Sequence, residues 1–178
     1  ENDNIAIGYE AMHTDTAGGT RNLALGNYAL DALTSGDDNV AVGYDAGTAI
    51  NTGSANVAIG AYALDSTTSG DNNTAVGKVA LGANTTGAGN TAVGYASLDA
   101  SSTASNNTAV GLRALSTNST GADNVAVGKN AALANTTAAS IVAIGSNTLE
   151  SNTTGGENTA VGQGAMNANT TGAYNIAV

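Results

Sequence analysis

Residues able to do acid–base or nucleophilic chemistry are few in this 178-residue chain, and they are dispersed. His13 is the only histidine. A general base needs organised partners within hydrogen-bond reach, and His13 falls in an irregular stretch, so it reads as a surface residue. With no cysteine there is no thiolate metal site, no disulfide and no thiol nucleophile. The glycine-rich stretches lack the Gly-Lys-Ser/Thr ending of a phosphate loop. No nucleophile and base pair is visible, so the sequence reads as a non-enzyme that uses no cofactor.

Acidic residues offer a second chemistry. Asp37, Asp38, Asp71, Asp123 and Glu157 sit beside Gly or Asn, in a faint likeness to calcium-binding turns. Calcium takes six to eight oxygen ligands, and these acids do not recur regularly, so no metal site is expected. A second group, Asp31, Asp65, Asp99 and Glu150, reads as a solvated face. Asn84, Asn118, Asn135, Asn152 and Asn169 each open an Asn-x-Ser/Thr sequon, which predicts exposed turn residues and glycan acceptors in a secreted eukaryotic chain. Columns of Thr at Thr85, Thr136, Thr153 and Thr170, and at Thr86, Thr120, Thr137, Thr154 and Thr171, have the regularity of an ice-binding or O-glycosylated surface.

Charge narrows the partners. Four Lys and Arg face fourteen Asp and Glu, for a net charge of −10. Arg21, Lys78, Arg113 and Lys129 form no basic stripe, which argues against nucleic acid and against an anionic membrane surface. No apolar run approaches the ~20 residues of a membrane span, so no membrane insertion is expected. Absence of cysteine fits an extracellular location.

All these residues are positioned by internal repetition. The string Asn-[Thr/Val/Ile/Leu]-Ala-[Val/Ile/Leu]-Gly begins at Asn4, Asn22, Asn39, Asn56, Asn73, Asn90, Asn107, Asn124, Asn158 and Asn175, and an eleventh copy begins at Ile141 in place of Asn. The first interval is 18 residues and every later one is 17, giving ten complete repeats and the start of another across residues 1–178. Numbered from Asn, position 3 is always Ala, position 5 is Gly in every complete repeat, and position 8 is Ala except at Ser97 and Thr148. Position 9 is usually Leu, and positions 13 to 15 tend to Thr-Thr-Gly. The array opens three residues before a repeat and stops at Val178, which gives the expectation of a window from a longer chain.

Seventeen residues with two glycines cannot hold a strand and a long helix. β-Branched residues at positions 2 and 4 suit a short strand. Gly at position 5 reads as a bend of unusual φ, and positions 7 to 10 as a second strand. The predicted object is all-β: a parallel β-roll or β-solenoid of 17-residue coils, stacked about 4.8 Å apart. Its structural residues are the repeat columns, as in Asn39, Ala41, Val42 and Gly43; Asn73, Ala75, Val76 and Gly77; and Asn107, Ala109, Val110 and Gly111. The Asn column is expected to form an internal ladder of side-chain amides, with one rung missing at Ile141. Apolar groups on both strand faces predict that one face fills the coil and the other meets neighbouring chains. Position 4 is assigned to the buried face. The Ala at position 3 is expected at close contacts, inside a coil or between chains.

These strings, most specifically Asn73–Gly77, Asn90–Gly94, Asn107–Gly111 and Asn158–Gly162, resemble the head repeats of YadA-like trimeric autotransporter adhesins and similar repeats of bacteriophage tail fibres. The resemblance covers essentially the whole chain. It implies a left-handed β-roll, a homotrimer, display on a cell surface or a virion, and attachment to a host-surface or matrix receptor. The adhesin head repeat is usually a few residues shorter, the difference falling in the Asn-Thr-Thr-Gly segment. An ice-binding solenoid and a self-polymerising extracellular filament are the alternative functions.

Overall fold

The computed structural model describes residues 3–14 and 18–178. One parallel sheet runs through it, with eleven short strands in sequence order: β1 (Ile5–Ile7), β2 (Leu23–Leu25), β3 (Val40–Val42), β4 (Val57–Ile59), β5 (Thr74–Val76), β6 (Thr91–Val93), β7 (Thr108–Val110), β8 (Val125–Val127), β9 (Val142–Ile144), β10 (Thr159–Val161) and β11 (Ile176–Ala177). Each strand pairs with the equivalent residues one repeat away, so Ala41 is in register with Ala58 and Ala75 with Ala92. The chain is therefore a β-solenoid with one coil per repeat, and no helix occurs among the described residues.

The expected second strand at positions 7 to 10 does not form. Positions 6 to 11 are consecutive turns, and positions 7, 9 and 17 lie in the left-handed region, as at Tyr62, Leu64 and Asn72 with φ of 60°, 52° and 58°. The reason lies in the Ala-Leu pair at positions 8 and 9. Both are buried inside the coil, as for Ala63 and Leu64. Successive residues of a strand point to opposite faces, so no strand could bury both. A left-handed residue on either side of Ala breaks that alternation and turns both side chains inward. A left-handed non-glycine conformation costs ~1–2 kcal/mol per residue, and hydrogen bonding between coils accompanies it throughout. The Leu64 N–H donates to Ala80 O of the following coil (3.1 Å), and the Tyr62 N–H to Tyr44 O of the preceding one (3.0 Å). Backbone ladders thus continue around the coil where strands do not.

The direction of the strand side chains also corrects an expectation. Position 3 faces inward: Ala24, Ala41, Ala75, Ala92, Ala109 and Ala126 have no exposed surface. Position 4 faces outward, opposite to the buried face that its aliphatic character suggests. Ile59 and Ile144 are 39% exposed, and Val42, Val76 and Val110 are half-buried. The small Ala of position 3 and the Leu of position 9 share one interior cluster, as for Ala75 and Leu81. In the third coil Gly47 takes position 9, and a Cβ there would meet Ile50 Cδ1 at 2.9 Å, so Ile50 fills the volume that Leu occupies elsewhere.

Gly at position 5 brings the strand into its turn. Gly77 has φ of 137° and Gly111 of 134°, and an added Cβ on either would lie 2.5 Å from the carbonyl oxygen of the corresponding glycine one coil on. Neither the dihedral nor the approach admits another residue.

Candidate interaction surfaces

Side-chain ladders occupy three edges of the coil. Asn39, Asn73 and Asn107 are fully buried at position 1. The Asn73 N–H and Nδ2 donate to Asn56 Oδ1 (3.0 and 3.2 Å), Nδ2 also reaches Gly87 O across the same coil (2.9 Å), and Asn73 Oδ1 serves Asn90 in turn. An amide such as Asn73 therefore closes its own coil and links it to the neighbours, whereas Asn107 Nδ2 bonds Asn90 Oδ1 and Ser105 O of the preceding coil (3.2 Å each). At the substituted coil the Ile141 N–H still donates to Asn124 Oδ1 (3.0 Å), but Ile141 has no amide to continue, and Asn158 Nδ2 keeps its own-coil bond to Gly172 O and takes Gly155 O in place of the missing rung.

A second ladder escapes the sequence reading. The sequon residues Asn84, Asn118, Asn135 and Asn152 are buried at position 12 rather than exposed, so in the folded coil they are closed to a glycan. Asn118 Nδ2 donates to Gly121 O (2.8 Å) and Asn135 Nδ2 to Asn118 Oδ1 (2.9 Å), repeating the logic of position 1. Buried amides must be paired, and the recurrence of Asn at one position of the repeat, at Asn84, Asn118, Asn135 and Asn152, was the signal available in the sequence. The column is interrupted at Ser101. Asn84 Oδ1 and Ser101 Oγ are buried with no hydrogen-bond partner.

The third ladder explains part of the acidic group. Asp37 Oδ1 accepts from the Thr20 N–H and hydroxyl (2.7 and 2.9 Å), and Asp71 Oδ1 from the Ser54 N–H (2.7 Å). These bonds from Thr20 hold the Asp37 carboxyl below its ordinary range. Asp38 is lowered by a two-pronged contact with Arg21, whose Nε and Nη2 lie 2.6 and 2.8 Å from its oxygens. Asp65 and Asp99 are raised, first by desolvation. Among the described residues no three Asp, Glu or His side chains converge as a metal centre would need. His13 is exposed, and its Nδ1 lies 3.7 Å from Asp31 Oδ1, an atom shielded from solvent and without a hydrogen-bond partner.

Three long surfaces remain outside the coil. The outer sheet face carries two columns, Thr, Val, Leu or Ile at position 2 and Val, Leu or Ile at position 4, along the whole array. A second edge carries Ser or Thr at position 14 in nine successive coils from Ser35 to Thr171, all exposed. The adjacent position 13 hydroxyls are engaged, for Thr85 Oγ1 donates to Ser102 O (2.9 Å) and Thr153 Oγ1 to Thr170 O (3.0 Å). The third surface is an aromatic ridge. Tyr9, Tyr28, Tyr44 and Tyr62 meet edge to face, with centroids 5.5, 5.8 and 5.5 Å apart.

No family model, curated protein or solved structure matches the chain. No helix among the described residues is long and apolar enough to cross a membrane.

Proposed function

We propose that this chain is a structural and adhesive segment of an extracellular fibre, non-catalytic, and assembled as a left-handed homotrimer through the outer faces of its sheets. One observation carries the reading: aliphatic residues at position 4 stand outward in every complete coil, with Leu25 43% and Ile59 39% exposed. An unbroken apolar face along a rod is a surface that favours burial by association. The coil behind it holds few large side chains. A sheet with apolar groups on both faces is stable when both are covered. The resemblance of the Asn-x-Ala-Val-Gly strings to surface adhesins and tail fibres supports a cell surface or virion as its place, and a host-surface or matrix receptor as its partner.

Sedimentation equilibrium of the purified chain tests the assembly, with a mass three times 17.1 kDa expected. A monomer at micromolar concentration with an intact β spectrum refutes the trimer. Ice binding is the second reading, favoured by the exposed position 14 hydroxyls. Thermal hysteresis would select it, and the engaged position 13 hydroxyls count against a surface two residues wide.

A further inference from the structure

The aromatic ridge is confined to the first four coils of the array. Four of the six tyrosines form it, and they occupy the variable positions of the repeat in alternation, 6 in Tyr9 and Tyr44 and 7 in Tyr28 and Tyr62. Where tyrosine stands at position 6 in this ridge, an acid follows at position 7: Glu10 and Asp45. Both carboxylates act on the adjacent ring, for the hydrogen bond and charge of Glu10 raise the Tyr9 phenol and the charge of Asp45 raises that of Tyr44. The rings are open to solvent, Tyr9 at 62% and Tyr44 at 46%. Charge is divided in the same way. Residues 1–71 hold ten of the fourteen acids and one base, Arg21, while residues 72–178 hold four acids and three bases.

We propose that this ridge is a docking surface for an extended arginine-rich peptide with arginine at every third residue. A guanidinium stacks on an aromatic face and pairs with a carboxylate in a two-pronged fork. The chain already makes that fork between Arg21 and Asp38. The two tyrosine–carboxylate pairs lie two coils apart, ~9.6 Å at the parallel-strand spacing. Three residues of polyproline II helix span ~9.3 Å and bring the first and fourth side chains to one face. An Arg-x-x-Arg peptide in that form therefore places one guanidinium on Tyr9 and Glu10 and the next on Tyr44 and Asp45. Edge-to-face packing holds the rings in place before the peptide arrives, which lowers the ordering cost of binding. The inference deepens the adhesive reading and rests on it, naming the class of partner that the fibre would hold.

The test is fluorescence anisotropy of a labelled (Arg-Pro-Pro)4 peptide titrated with the full chain at ~0.15 M salt. Its comparisons are the lysine counterpart and a peptide with its four arginines in one block. The spaced arginine peptide is expected to bind more tightly than either. Replacing both rings, Tyr9→Leu with Tyr44→Leu, is expected to weaken it about 5- to 30-fold. Glu10→Gln with Asp45→Asn should weaken it and flatten its salt dependence, and Tyr95→Leu should change nothing. Circular dichroism checks that each variant keeps its fold. Indifference to arginine spacing, or unchanged affinity without the rings, overturns the proposal and leaves only attraction between opposite net charges. The mass of the chain is measured separately, so loss of peptide binding in an intact trimer defeats this inference alone, and a monomer that binds the peptide defeats the fibre reading alone.

Discussion

Completing the interrupted position 12 ladder should stabilise the rod. In Ser101→Asn the new side chain enters a column where Asn84 Oδ1 and Ser101 Oγ are both buried and unpartnered. Its Nδ2 would reach Asn84 Oδ1 on one side and Ala104 O three residues on, as Asn135 Nδ2 reaches Asn118 Oδ1 (2.9 Å) and Ala138 O (3.1 Å). Its Oδ1 would accept from Asn118 Nδ2. The pair Asn135 and Ala138 shows that the amide fits where position 15 is Ala, as it is at Ala104. An unsatisfied buried polar group costs ~1–3 kcal/mol and a new hydrogen bond contributes a net ~0.5–1.5 kcal/mol. Against that stands the cost of fitting an amide into a smaller site, ~1–3 kcal/mol if nothing yields. The expected balance is a gain of ~1–2 kcal/mol, or about 2–8 °C in Tm. Thermal unfolding followed by circular dichroism measures it, with hydrogen exchange at Asn84, residue 101 and Asn118 showing whether protection rises locally. A lower Tm, with reduced protection at those amides, would refute the ladder argument, since it would mean that the two orphan atoms lie in a site too tight for the amide that every neighbouring Asn coil accommodates.

The first ladder predicts the opposite sign: Asn90→Ala removes its bonds to Asn73 Oδ1 and Ala104 O and orphans the buried Asn107 N–H, for a loss of ~2–4 kcal/mol in chemical denaturation. Gly111→Ala places a Cβ 2.5 Å from Gly128 O at φ of 134° and should cost at least ~3 kcal/mol, read as loss of soluble folded chain. Ala92→Leu or Ala109→Leu should overpack the coil interior by ~1–3 kcal/mol each in the same denaturation assay. Asp65 is raised in the folded chain, so its stabilising contribution is fullest below the ordinary carboxylate range and is lost as pH rises through its raised value; Asp65→Asn should therefore raise Tm at neutral pH and lose that advantage in acid. Asp37 is lowered, so its contribution is present above the ordinary carboxylate range and lost as pH falls through the lowered value, and amide exchange near Thr20 should quicken in acid.

Much of the architecture was legible because a repeat states the same fact many times. The 17-residue period, Ala at position 3 and Gly at position 5 determine a coil, a strand and a bend, and parallel in-register pairing follows from stacking equals on equals. The Asn column was readable as a ladder for the same reason. What the sequence could not decide was direction. A strand such as Val40–Val42 has no polar residue to mark its outside, and the Thr at position 2 of β5, β6, β7 and β10 suits either face through its methyl and hydroxyl, so closure of the coil showed that the small side chain goes inward and the large ones outward. The turns were hidden too, because Leu98 and Leu115 at φ of 50° contradict the ordinary preference of leucine, and burial in the coil with hydrogen bonds to adjacent coils accompanies that conformation. Burial of Asn118 and Asn135 belongs to the same class, since a sequon and an internal amide ladder are written with the same letters. Which of them a residue becomes depends on whether the next coil brings a carbonyl within reach, and that is a property of the stacked rod rather than of any one repeat.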